Sequence, residues 1–183
     1  METKALLSSL GLALAISAPA SAELPSVRTD PAYGARLTEW AIDATHANIG
    51  FSVAHLIVAE VDGRFSSFSG KVLLDEKQLE RSQLSFTAQT ASIDTGNADR
   101  DKHLRSADFF DVERFPTLEF VSTKIVKTDK GYRITGVLTI HGIEKNVTLD
   151  ATLSEAVTSP WGTQVRAAKL TGKIDRRAFG LTW

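Results

Sequence analysis

The feature that most restricts the fold of this chain is a two-residue alternation of apolar and polar side chains, which recurs from Thr38 onward. Leu84, Phe86 and Ala88 alternate with Ser85, Thr87 and Gln89, and Ile134, Gly136, Leu138 and Ile140 with Thr135 and Thr139. Val147, Leu149, Ala151 and Leu153 are spaced by Asn146, Thr148, Asp150 and Thr152. The same period runs through Ile49, Phe51 and Val53, through Leu118 and Phe120 with Val121 blurring it, and through Leu170 and Ile174. Successive strand residues point to opposite faces, so each segment has one apolar and one polar side. That is the pattern of antiparallel sheet with one wet face. Turn residues punctuate the runs at Asp129-Lys130-Gly131, His141-Gly142 and Ser159-Pro160-Trp161-Gly162. Many evenly spaced strands of this kind predict a sandwich or a barrel.

One segment departs from the pattern. From Thr95 to Phe110 the chain suits a short helix inserted between two long strands, near residues 97–107. Asn97 is placed to cap it, Asp99 and Asp101 suit its first turn, and Lys102 and Arg105 suit its end. Asp99 with His103 and Asp101 with Arg105 have the spacing of helix ion pairs.

The N-terminal region reads differently. An apolar run from Ala5 to Ile16 follows Lys4 and precedes Ala20-Ser21-Ala22, the order of charge, apolar core and small-residue site that marks a cleaved secretory signal. The run is too short to cross a bilayer as a helix, which takes roughly 20 residues. Cleavage after Ala22 makes residues 1–22 a signal peptide. Residues 23–37, with Pro25, Pro31 and Gly34, read as a flexible leader, and residues 38–183 as the barrel domain, in an exported, periplasmic protein. The sequence has no cysteine, so stability must come from the core, and thiolate metal sites and cysteine nucleophiles are excluded. A net charge of −1 carries no electrostatic footprint for nucleic acid.

Several stretches, taken in order, resemble the YceI-like family. They are His46; Phe51-Ser52-Val53-Ala54-His55-Leu56; Gly63-Arg64-Phe65 with Phe68-Ser69-Gly70; Arg100 to Ser106 with Asp108-Phe109-Phe110-Asp111 and Phe115-Pro116; Gly136 to Gly142; and Asp175 to Gly180. The resemblance implies an eight-stranded antiparallel barrel of extended lipocalin type, exported by bacteria, whose tunnel takes polyisoprenoid amphiphiles such as quinones or prenyl phosphates. Family members continue past the Phe-Gly-(Leu/Met)-x-Trp stretch into a last strand, whereas this sequence stops at Trp183. The departure raises the expectation of a barrel without its closing strand, with two unpaired edges.

An eight-stranded barrel has an interior just wide enough to be filled by side chains or to hold one small ligand, and alternation alone leaves both open. If a tunnel is present, the inward positions predicted to line it are Phe51, Val53 and His55, then Leu84 and Phe86, Leu118 and Phe120, Ile134 and Leu138, and Val147 and Leu149. His46, Arg100, His103 and Arg105 are candidates to meet a polar head group. No nucleophile elbow, phosphate loop or His-Glu-x-x-His motif is present, and no two histidines share a metal-ligand spacing, so no catalytic, metal or cofactor residue is assigned. Three readings follow. The first is a carrier or store for an isoprenoid lipid that makes transient contact with a membrane. The second is an enzyme on a small apolar substrate, with His55 as acid or base. The third is a packed barrel acting as a stress-related interaction module.

Overall fold

In the computed structural model, residues 7–17, 27–30, 35–55 and 59–183 are described. Their strands are β1 (Leu7–Ser17), β2 (Val27–Asp30), β3 (Ala35–Ile42), β4 (Asn48–His55), β5 (Ala59–Phe65), β6 (Phe68–Leu74), β7 (Gln83–Gln89) and β8 (Ile93–Asp94). Helix α1 (Ala98–Arg105) follows, then β9 (Thr117–Thr128), β10 (Gly131–Ile140), β11 (Ile143–Leu153), β12 (Val157–Thr158) and β13 (Gln164–Asp175).

These strands form a closed eight-stranded antiparallel barrel with one helix. Pairing shows how the shorter strands combine. β3 pairs with β6 and β4 with β5, so β3–β4 act as one bent stave and β5–β6 as its neighbour. β7 pairs with β6, and β8 with β5, as a third stave. β9, β10, β11 and β13 continue the wall by antiparallel pairing. The last stave is β1, whose 11 residues pair with β13 along one edge and with β3 and β4 along the other. Closure of this kind leaves no long edge to attract another chain.

The alternation read from the sequence is realised in the burial of the wall. Leu84, Phe86 and Ala88 are buried, as are Leu118 and Phe120, Ile134 and Leu138, and Leu149 and Ala151. Val121, which blurred the pattern, faces outward at 53% exposure. The His141-Gly142 reversal has both residues at positive φ (53° and 71°), the two-residue hairpin conformation that matches strand twist.

The N-terminal region adds two strands to the wall. The apolar run that reads as an export signal runs as β1 between β13 and the β3–β4 stave. The physical reason lies in the same residues: from Leu10 to Ile16 large side chains alternate with Gly11, Ala13 and Ala15, a period that suits a strand. Ile16 is fully buried while Ala13 is exposed. Within residues 23–37, β2 pairs with β3 from Val27↔Thr38 to Asp30↔Ala35.

The helix forms where its cap signals placed it, with the Asn97 side chain accepting a hydrogen bond from the Arg100 N–H at 3.0 Å. Its expected ion pairs are replaced by tertiary contacts. Asp101 is buried and accepts from the Thr95 N–H (3.0 Å) and hydroxyl (2.6 Å), and Arg105 donates to the Ala91 and Ile93 carbonyls. Asp101→Ala would leave the Thr95 N–H without its buried partner. An orphaned buried donor costs about 1–3 kcal/mol, so the variant should melt several degrees lower in a thermal scan; an unchanged midpoint would show that the clasp carries no stability.

Candidate functional site: an apolar cavity under the helix

The inward residues lie at successive levels along the staves. On β9 the order is Leu118, Phe120, Ile125; on β10 it is Leu138, Gly136, Ile134; on β13 it is Ile174, Gly172, Leu170. The first of each set lines a cavity of about 410 Å³, walled also by α1 and the segment after it. The last of each set lines a smaller void of about 70 Å³ with Leu84, Ile16 and Tyr132. Between the two levels Phe86 and Phe120 stack with centroids 5.4 Å apart and planes inclined by 21°. Both are essentially inaccessible to solvent.

The larger cavity is walled by carbon. Phe51, Val53 and Ala54 come from β4, Val61 and Phe65 from β5, Leu138 and Ile140 from β10, and Leu104, Phe109 and Phe110 from the helix and the turn beyond it. The exceptions are four polar side chains, Thr95, Arg100, His103 and Arg176. Arg100 donates through Nε and Nη2 to the Thr95 hydroxyl (2.7 Å) and carbonyl (2.8 Å). His103 Nε2 lies 3.2 Å from Asp108 Oδ2, and its ring meets Phe109 and Trp183 edge-on, at 5.1 and 4.5 Å between centroids. Arg176 donates to the carbonyls of Leu181 (2.6 Å) and Trp183 (3.0 Å), pinning that segment beside the cavity. Trp183 remains 67% exposed.

Of the residues read from the sequence as tunnel lining, Phe51, Val53, Leu118 and Leu138 do surround this cavity. Leu84 and Ile134 belong to the small void, and Phe86, Phe120 and Leu149 to the packed core. Val147 is half-buried against that core. The side chain of His55 falls outside the described residues. Among the head-group candidates, Arg100 and His103 are at the cavity. Arg105 is not, because its guanidinium ties the helix to the backbone at Ala91 and Ile93. His46 is not either: it stands in the turn between β3 and β4, in an outer groove with Ala13, Ala15 and Leu153. Arg176, Leu181 and Trp183 were missed, although Arg176 sits within the stretch from Asp175 to Gly180 that carried the family resemblance. Its position next to an invading C-terminal segment has no local sequence signal.

At His46 the chemistry is local. The Asp43 carboxylate accepts from the Thr45 hydroxyl (2.6 Å) and N–H (3.0 Å) and lies 2.8 Å from His46 Nδ1. These contacts, the Thr45 hydroxyl first and His46 next, lower its pKa from 3.8 to about 2. A carboxyl depressed on folding stabilises the native state above its ordinary pKa, and the contribution fades as pH falls through the folded value. The stability difference between wild type and Asp43→Asn should therefore be constant above the ordinary range and shrink between about 4 and about 2. A difference independent of pH in acid titrations would contradict this.

The fold and cavity together define a class: a closed antiparallel barrel with an apolar chamber under a helical insert. A YceI-like domain matches residues 40–183, and the chain belongs to that family. It is 42% identical over 137 residues to a UPF0312 protein of Serratia proteamaculans, covering 75% of this chain and 71% of that one. It is 39% identical over 146 residues to Protein YceI of Salmonella newport, covering 79% and 76%. Among solved structures, the Campylobacter jejuni YCEI protein superposes with a TM-score of 0.63 at 34% identity, over 75% of this chain and 81% of that one. Burkholderia cenocepacia BcnA shares the fold, with a TM-score of 0.61 at 21% identity over 71% of this chain and 98% of that one. Among the described residues no group of three or more His, Cys, Asp or Glu is placed to hold a metal ion, and no helix is long and apolar enough to cross a membrane.

Proposed function

We propose that the barrel binds an isoprenoid amphiphile, with the tail in the 410 Å³ cavity and the polar head at Arg100, His103 and Arg176. The observation that carries this reading is the cavity itself, a chamber walled by carbon with its few polar groups gathered at the helix. Ligand pockets commonly occupy about 300–1,000 Å³ and combine apolar walls with a few orienting polar groups. Burying alkyl chain contributes about 0.8 kcal/mol per methylene, so a few isoprene units suffice for tight binding. The guanidinium donors suit oxygen acceptors, whether the phosphate of a prenyl phosphate or the carbonyl of a quinone. Binding and release, without chemical change, is the role this arrangement supports. The protein then acts as a carrier or store that exchanges its lipid at a membrane surface.

The order of residues in the first 22 positions supports export to the periplasm. Removal of that segment would also remove β1, leaving the slot between β13 and the β3–β4 stave to another strand.

Native mass spectrometry of the full chain mixed with farnesyl phosphate tests the binding role. A one-to-one adduct that survives competition by palmitate at equal concentration is expected. No adduct, or equal loading of palmitate, would contradict the reading.

A further inference from the structure

We infer that the stacked Phe86–Phe120 pair is a septum that sets how much of a tail the barrel accepts. This rests on the isoprenoid reading above but goes beyond it, because it assigns chain-length selection to two residues that do not line the cavity. Phe86 and Phe120 face one another across the β7–β9 ladder, directly opposite in register. On β9, Phe120 follows Leu118, which lines the large chamber, and precedes Ile125, which lines the small void. On β7, Phe86 sits one inward position from Leu84, which also lines the small void.

The wall is shaped to admit the pair. Gly136 is the inward residue of β10 at the same level, and a Cβ there would come within 2.5 Å of the Phe120 ring. The absence of a side chain at Gly136 leaves the Phe120 ring the place it occupies. Stacked offset rings of this kind form a well-packed layer. The interior therefore holds two spaces of about 410 and 70 Å³ with the aromatic pair packed between their linings as a floor, where a continuous bore would have served a tail of any length.

A tail that reaches this floor gains nothing from further isoprene units, because the excess must turn back or stay in water. Each buried methylene is worth roughly a fourfold change in affinity, so the stop should appear as a sharp bend in affinity against chain length. Removing one ring joins the chambers and moves the bend outward.

The test is a titration of the full chain with geraniol, farnesol, geranylgeraniol and solanesol, for wild type, Phe120→Ala and Phe86→Ala. Wild-type affinity should rise along the short alcohols and level off by geranylgeraniol. In either variant the rise should continue, with geranylgeraniol at least about tenfold tighter than in wild type. Where an alanine variant fails to fold, Phe120→Leu or Phe86→Leu, which narrows the septum without emptying it, should shift the bend in the same direction. Folded variants that bind the series with the wild-type bend would overturn the septum and leave the cavity reading intact. Absence of binding by every alcohol in wild type would overturn the isoprenoid reading and the septum with it.

Discussion

A chain beginning at Glu23, with the slot beside β13 left empty, is expected to lose most of its folding stability and to associate through the edges it exposes. The stave it lacks, β1, pairs along its whole length with β13 and along the opposite edge from Ser8↔Val53 to Ala13↔Asn48 with β4, then at Ile16 and Ser17 with β3. Its removal leaves two rows of unpaired backbone donors and acceptors and opens the barrel. Ile16 is fully buried in the core, and burying one such side chain is worth about 1.5–3 kcal/mol before any ladder is counted. Domains are commonly stable by only about 5–15 kcal/mol, so the combined loss should bring the shortened chain close to unfolding. Thermal unfolding and size-exclusion chromatography of the two forms measure this. A synthetic peptide of residues 7–17, added in trans, should restore the lost midpoint and suppress association. A shortened chain that melts with the full-length protein and stays monomeric would show that β1 is not a stave of the stable barrel.

Val53→Asp is expected to abolish lipid binding while leaving the barrel folded. Val53 lines the large cavity from β4 and is only half-buried, so the substitution leaves the packed layer around Phe86 and Phe120 untouched. In the loaded protein the new carboxylate would lie against the apolar tail and lose hydration on its cavity side. Desolvating a charge in that way costs several kcal/mol, which is a loss of at least about a hundredfold in affinity. Val121→Asp, an equal change at an outward position of β9, should bind as wild type does. The comparison separates a cavity effect from a general effect of added negative charge, and a Val53→Asp protein that binds normally would place the tail elsewhere.

Much of the wall was legible because a half-buried strand writes its two faces directly into the sequence. β7, β9, β10 and β11 were each visible from their alternation, and the hairpin at His141-Gly142 from its turn residues. The helix was visible from Asn97. The strand pairing of β1 was not, because the large–small alternation from Leu10 to Ile16 carries no polar residues to mark an outer face, and the same run has the order of an export signal. β5 and β6 were also missed, since Asp62 and Arg64 alternate with Val61, Gly63 and Phe65 only weakly.

The site was legible in part for a different reason. Alternation says that Leu118 and Phe120 both point inward, but it does not say what stands opposite each of them. Phe120 stacks on Phe86 at its own level and packs in the core, while Leu118, the next inward position on the strand, lines the cavity. Cross-strand register decides between lining and plugging, and register belongs to the assembled barrel. The helix charges failed similarly. Arg100 and Arg105 look alike in the sequence, yet one reaches Thr95 beside the cavity and the other the backbone carbonyls behind the helix.

The presence of an isoprenoid in the cavity can be read from protein purified under native conditions from the cells that make it, by mass spectrometry of its solvent extract. An isoprenoid alcohol, phosphate or quinone recovered near equimolar with wild-type protein, and lost from Val53→Asp prepared alongside it, is the expected result. An extract without prenyl compounds, or one whose lipid content is the same in both proteins, would contradict it.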